Sequence, residues 1–155
     1  MVTVAAIQMV SSNNREVNLE RAAYLIADAA NRGAKLIVLP ENFAVFGQIC
    51  AVKAAKEEGV SLLDGREPKG TIRLFLAEQA KKWKVWLVGG TIPTRYVPTR
   101  ATPTETPKRK LFASCFVVST QGVEVACYNK IHLFDVQVDD AQSRYNESAM
   151  YQPGE

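Results

Sequence analysis

Two charged residues in this chain stand where side chains do chemistry. Glu41 follows Leu36-Ile-Val-Leu-Pro40, an apolar run with the length of a buried strand, closed by a proline that removes a ladder donor. A carboxylate just past the end of such a strand lies at the rim of a sheet, where α/β proteins commonly place ligands. Held there and partly desolvated, it gains the basicity a general base needs. Lys130 follows Cys127-Tyr128-Asn129 in the same way. An ammonium near a reacting carbonyl stabilises the oxyanion that develops during acyl transfer. Both positions also suit ordinary charges: a solvent-facing helix-cap neighbour for Glu41, a surface lysine for Lys130. His132, set among Ile131, Leu133 and Phe134, reads as a packed, hydrogen-bonded structural histidine rather than a catalytic one.

Other site chemistries find little support. Cys50, Cys115 and Cys127 form no CxxC pair and His132 is the only histidine, so a zinc site lacks its roughly four ligands at short paired spacings. No GxSxG elbow accompanies His132, which sets aside a serine hydrolase. The chain has 155 residues, 47% hydrophobic and 23% charged, the balance of a globular domain with a real core. Its net charge of +3 argues for no particular partner. No segment approaches the roughly 20 apolar residues of a membrane span. Met1 to Met9 lacks the basic start of a signal peptide and reads as a first strand. The expectation is a cytoplasmic protein with no membrane or nucleic-acid partner, no metal and no cofactor.

The elements that must position Glu41 and Lys130 alternate. Thr3 to Met9 has strand character. Asn13 can cap a helix, with Glu16 three residues on, and Leu19, Ala22, Ala23, Ile26, Ala29 and Ala30 share one helical face. Gly33 stops that helix and Leu36 to Leu39 forms the next strand. A short helix over 50–58 is followed by one over Thr71 to Lys84, which buries Ile72, Phe75, Leu76, Ala80 and Trp83. The apolar run Val85 to Ile92 predicts a strand buried on both sides. Leu111 to Ser119 and Val123 to Asn129 predict an antiparallel hairpin about Gln121, which would set Cys115 and Cys127 nearly opposite each other as small buried thiols, not a disulfide. The pattern specifies an α/β layered domain with a mixed sheet. Between them, Pro93 to Lys110 is proline-rich and carries Arg95, Arg100, Lys108, Arg109 and Lys110 against Glu105, and reads as a solvated loop.

Four separated segments carry a family resemblance. They are Val4-Ala-Ala-Ile-Gln-Met9, Leu39-Pro-Glu-Asn-Phe43, Val88-Gly-Gly-Thr-Ile92 and Lys130-Ile-His-Leu-Phe-Asp135, continued by Asp139-Asp-Ala-Gln142, Arg144-Tyr-Asn-Glu-Ser148 and Pro153-Gly154. In this order they resemble the nitrilase, or carbon–nitrogen hydrolase, superfamily, and most of all the bacterial Nit-type amidases that include deaminated-glutathione amidase and ω-amidase. The resemblance implies a Glu–Lys–Cys triad without metal or organic cofactor. Glu41 would be the general base, Lys130 the oxyanion stabiliser, and Glu147 a second glutamate that positions substrate or assists the base. The substrate implied is a small amide bearing a carboxylate, which Arg95, Arg100 or Arg109 could attract. Homo-oligomers are usual in the family.

The resemblance also implies a fold, the first half of a four-layer α-β-β-α sandwich, with residues 1–155 as the N-terminal part of one carbon–nitrogen hydrolase domain. No Gly-x-x-x-Cys-Tyr-Asp-like segment, which carries the family's nucleophile, occurs in these residues, and Cys50, Cys115 and Cys127 stand in other contexts. The chain alone is therefore expected to be inactive, and to need a missing half or a partner to cover its sheet. Two alternatives are a half-length, non-catalytic protein acting through dimerisation or partner binding, and a binding module built on the basic Pro93–Lys110 loop.

Overall fold

The computed structural model describes residues 1–59, 68, 70–95, 110–137 and 144–155. Its elements in order are β1 (Thr3–Ala6), α1 (Arg15–Asn31), β2 (Ala34–Val38), α2 (Gln48–Glu58), α3 (Thr71–Trp83), β3 (Trp86–Val88), β4 (Ile92–Arg95), β5 (Leu111–Val118), β6 (Glu124–Asn129), β7 (Asp135–Gln137) and β8 (Arg144–Asn146), then a 3₁₀ turn over Glu147–Ala149. β1, β2 and β3 run parallel, and β5 and β6 continue the sheet antiparallel. β7 and β8 form a separate antiparallel pair. The sequence pattern had no signal for this pair, whose strands are three residues each. Among the described residues no helix is long and apolar enough to cross a membrane.

α1 starts one residue later than expected. Asn14, not Asn13, is the cap: its backbone is extended and its side chain accepts the Val17 N–H at 3.2 Å. α1 and α3 pack on one face of the sheet, burying Ala22, Ile26, Ile72 and Leu76 against Ile37, Leu87, Phe116 and Val118. α2 packs on β4, and a second small cluster joins Ala51 and Ala55 to Leu111, Ala113 and Tyr151. α2 ends on Glu58, which is fully buried and whose carboxylate accepts the Ile72 and Arg73 N–H groups at 2.8 and 3.0 Å, capping α3 where Gly70 has no side chain to do so. Burial pushes the Glu58 carboxyl up, and those two amide donors oppose it.

The expected single strand Val85 to Ile92 is two strands in one lane. β3 and β4 both lie antiparallel to the same neighbour, β5. From Val88↔Val117 to Ile92↔Ser114, four steps on one side oppose three on the other. Gly90 makes this kink possible. It sits at φ +54°, and a Cβ there would lie 2.0 Å from the Pro40 carbonyl oxygen. Only glycine lets the two backbones approach so closely.

The strand is also not buried on both sides. Register places Val4, Leu36 and Trp86 in one row on the face away from α1 and α3, and Trp86 is 42% exposed and Val4 56%. Tyr128, paired with Cys115, is exposed on the same face. Among the described residues nothing covers this apolar face, in keeping with the expectation of an open sheet.

The hairpin register also differs. Val118 pairs with Glu124, yet Val117 pairs with Ala126, so Val125 forms a bulge. That extra residue shifts the remainder by one, pairing Cys115 with Tyr128 and Phe116 with Cys127. The two thiols therefore point to opposite faces, since one step of register flips a side chain. Both are free, as expected.

A Gly90→Ala substitution tests the close approach. The left-handed backbone alone costs about 1–2 kcal/mol for alanine, and overlap with the Pro40 carbonyl adds to it. Denaturant unfolding should show a loss of at least that size, with no comparable loss for alanine at an exposed position such as Lys35.

Candidate active site

Glu41 stands where the sequence placed it, just past Pro40 and three residues beyond the end of β2. The Leu39 N–H donates to the Val88 carbonyl at 2.9 Å, and Glu41 itself forms an isolated parallel bridge with Thr91. The chain then turns through Asn42 at φ 55°, a left-handed conformation that asparagine tolerates better than most residues. The Thr91 hydroxyl accepts the Asn42 N–H at 3.1 Å and fixes that turn. The sequence reading missed Thr91. Its one local signal was the Gly-Gly pair before it, which marks a close backbone approach.

Lys130 continues the β6 ladder by one residue, its N–H donating to the Ala113 carbonyl at 2.9 Å. The Lys130 carbonyl in turn accepts the Gly154 N–H at 2.9 Å. Gly154 has no substitute here, because a Cβ would lie 2.3 Å from the Asn129 carbonyl oxygen. Glu147 is delivered by the β7–β8 pair and opens the 3₁₀ turn, which Asn146 caps by accepting the Ala149 N–H at 3.1 Å.

The three expected side chains converge. Lys130 Nζ donates to Glu41 Oε1 at 2.8 Å and to Glu147 Oε1 and Oε2 at 3.1 and 2.9 Å. The Phe134 N–H also donates to Glu147 Oε2, at 2.6 Å. The side chains are 50% exposed for Glu41, 22% for Lys130 and 17% for Glu147. The contacts divide the labour. Glu147 grips the ammonium with both oxygens from a sheltered position, whereas Glu41 makes one contact and remains open to a reactant. Burial disfavours the charged Lys130, but the hydrogen bonds from it to Glu147 and Glu41 outweigh burial and hold its pKa above the ordinary lysine value.

The three groups line a cavity of about 390 Å³. Phe46, Phe134, Tyr145 and Tyr151 supply its aromatic walls, and Phe134 meets Tyr145 edge-on at 5.5 Å between ring centres. Burial, then the charges of Glu147 and Glu41, push the Tyr151 phenol up to about 12.

Other expected residues lie elsewhere. His132 is exposed and makes no hydrogen bond to a described residue, so the packed histidine expected there is corrected: Ile131 and Phe134 beside it are exposed too, because β6 has ended and no layer covers the segment. Cys50 lines a different groove, donating to the Asn13 carbonyl at 3.2 Å. Cys115 and Cys127 lie within the sheet, and burial pushes both thiols up, Cys127 to about 11. A thiol so protonated is a poor nucleophile. Arg95 is exposed at the end of β4, outside the cavity lining. Arg100, Lys108, Arg109 and the segment Asp139 to Gln142 lie outside the described residues.

Residues 3–155 match the model of the family described as carbon-nitrogen hydrolase. The chain is 34% identical over 152 residues to nitrilase homolog 2 of Dictyostelium discoideum, covering 97% of this chain and 40% of that one. It is 33% identical to a deaminated glutathione amidase of Synechocystis sp., covering 97% and 49%, and 32% identical to the omega-amidase NIT2 of Homo sapiens, covering 98% and 48%. The chain thus spans about half the length of the curated relatives it matches. The crystal structure of Saccharomyces cerevisiae Nit3, a member of branch 10 of the nitrilase superfamily, superposes with a TM-score of 0.72 at 27% identity, over 99% of this chain and 49% of that one. The family model matches nearly the whole chain and the fold agrees with it, so the chain belongs to the carbon–nitrogen hydrolase family.

Proposed function

We propose that these residues form the base and oxyanion half of an amidase site that hydrolyses a small carboxylate-bearing amide and releases ammonia. Residues 1–155 act as the N-terminal part of a single hydrolase domain, and the nucleophilic cysteine comes from polypeptide outside them. One observation carries the reading: the Lys130 ammonium lies within 2.9 Å of both Glu41 and Glu147 at the wall of a cavity. The relatives named as amidases support the reaction class.

The geometry supports the following chemistry. Glu41, half exposed, takes the proton of the incoming thiol, and the thiolate attacks the amide carbon. The carbonyl oxygen becomes an oxyanion beside the Lys130 ammonium, whose position is fixed before the charge develops. The proton on Glu41 passes to the amide nitrogen, the C–N bond breaks, and ammonia leaves a thioester. Water then gives a proton to Glu41 and attacks the thioester carbon, and the carboxylic acid product departs as the thiol regains its proton. Glu147 positions Lys130. No cofactor enters these steps, and a homo-oligomer is the proposed assembly. The open sheet face with Val4, Trp86 and Tyr128 favours one second reading, a half-length protein that works by binding a partner there.

The test joins or co-expresses this chain with the nucleophile-bearing half of a relative and measures ammonia release. Glu41→Gln and Lys130→Ala should each lower kcat by about 100-fold or more; near-normal turnover in either variant sinks the assignment. Thr91→Val, which removes the acceptor for the Asn42 N–H, should lower kcat about tenfold with KM within about twofold, while Thr91→Ser keeps activity. The pH profile gives a further check. Because the Lys130 pKa is raised, its ammonium and the stability it contributes are fully present below the ordinary lysine value of 10.5 and are lost as pH climbs through the higher folded value. Activity should therefore show no alkaline decline from Lys130 below that point; a decline near neutrality abolished by Lys130→Arg would contradict it.

A further inference from the structure

Tyr151 has no part in the steps above, yet it is a buried polar side chain in the cavity lining. It is 8% exposed, and its ring is set in the cluster of Ala51, Ala55, Leu111 and Ala113. Its backbone is fixed as well: the Tyr151 N–H donates to the Glu147 carbonyl at 2.9 Å, and the neighbouring Gln152 N–H donates to the Leu111 carbonyl at 2.7 Å. The hydroxyl makes no hydrogen bond to a described residue. Nor is it sealed away, since no buried side-chain nitrogen or oxygen among the described residues lacks a partner. It therefore opens into the cavity, on the wall shared with Glu41 and Glu147. A rigid phenol with no protein acceptor, facing the cavity, is placed to exchange a water for the acceptor of a bound molecule.

We infer that the Tyr151 hydroxyl is a specificity-determining donor that selects amides whose acyl chain carries a second, uncharged oxygen acceptor. The inference rests on the amidase reading for the cavity's purpose, and on geometry for the residue. The acceptor is uncharged because the two carboxylates of Glu41 and Glu147 outnumber the single Lys130 ammonium at this wall, so an anionic oxygen meets net repulsion. A carboxylate elsewhere on the substrate lies further from the pair. The phenol stays protonated, and so remains a donor, throughout the range in which Glu41 can work as a base.

Binding can be read by NMR titration of this chain joined to the nucleophile-bearing half of a relative, its cysteine replaced by alanine so that nothing is turned over, with two uncharged probes of similar size, succinamide, whose second amide offers an oxygen acceptor, and pentanamide, which offers none. The wild type should bind succinamide roughly three- to tenfold more tightly, the value of one neutral hydrogen bond. Tyr151→Phe keeps the ring in its cluster and should erase the preference. An equal preference in both proteins, no preference in the wild type, or no binding of either probe overturns the inference. A preference lost in Tyr151→Phe, alongside unchanged ammonia release in Glu41→Gln, would sink the amidase reading and leave the Tyr151 donor standing.

Discussion

One ammonium group ties together segments that are far apart along the chain. Lys130 reaches back 89 residues to Glu41 and forward 17 to Glu147. Two carboxylates around one cation leave the trio with net negative charge, and the partial shelter of Lys130 and Glu147 makes each contact stronger than it would be in bulk water. Without the ammonium the carboxylates would repel each other, and without the carboxylates burial would disfavour the ammonium. The arrangement is stable only as a set, and the backbone around it is built to hold the set in place.

That backbone relies on contacts only glycine permits. Gly90 lets the β3–β4 kink press on Pro40, which brings Thr91 alongside Glu41 and Asn42. Gly154 lets the chain after the 3₁₀ turn run against Asn129 and accept its place beside Lys130. Each catalytic candidate is thus a strand-end residue held by a second strand-like segment rather than by a free loop. This is how a site keeps side chains within the small tolerance that proton transfer demands.

The sheet is asymmetric, and the asymmetry bears on function. Helices α1 and α3 cover one face, while the row of Val4, Leu36 and Trp86 faces outward. The site lies at the strand ends, and Val45 to Gly47 and the first turn of α2 close one side of it. A cavity framed this way has aromatic walls and a charged floor, a mix of apolar surface and few polar groups found at small-molecule sites.

Sequence alone determined a good deal here. Periodicity in residues 15–31 and 71–83 and the strand-ending Pro40 were enough for an α/β sheet, and the resemblance carried by the motif segments singled out Glu41, Lys130 and Glu147 as site candidates. These features are local, so they can be read from neighbours in the chain. The Asn14 cap, the kink at Gly90, the bulge at Val125 that parts Cys115 from Cys127, and the exposure of His132 were not legible, because each depends on which strand or layer lies alongside. The same holds for Thr91 and Tyr151, whose importance arises from contacts with residues 50 and 40 positions away in the chain. Residue type and local spacing set what chemistry was available; only the packing of distant segments decided which groups share one cavity, because hydrogen bonds and charges act over a few ångströms of space and not along the chain.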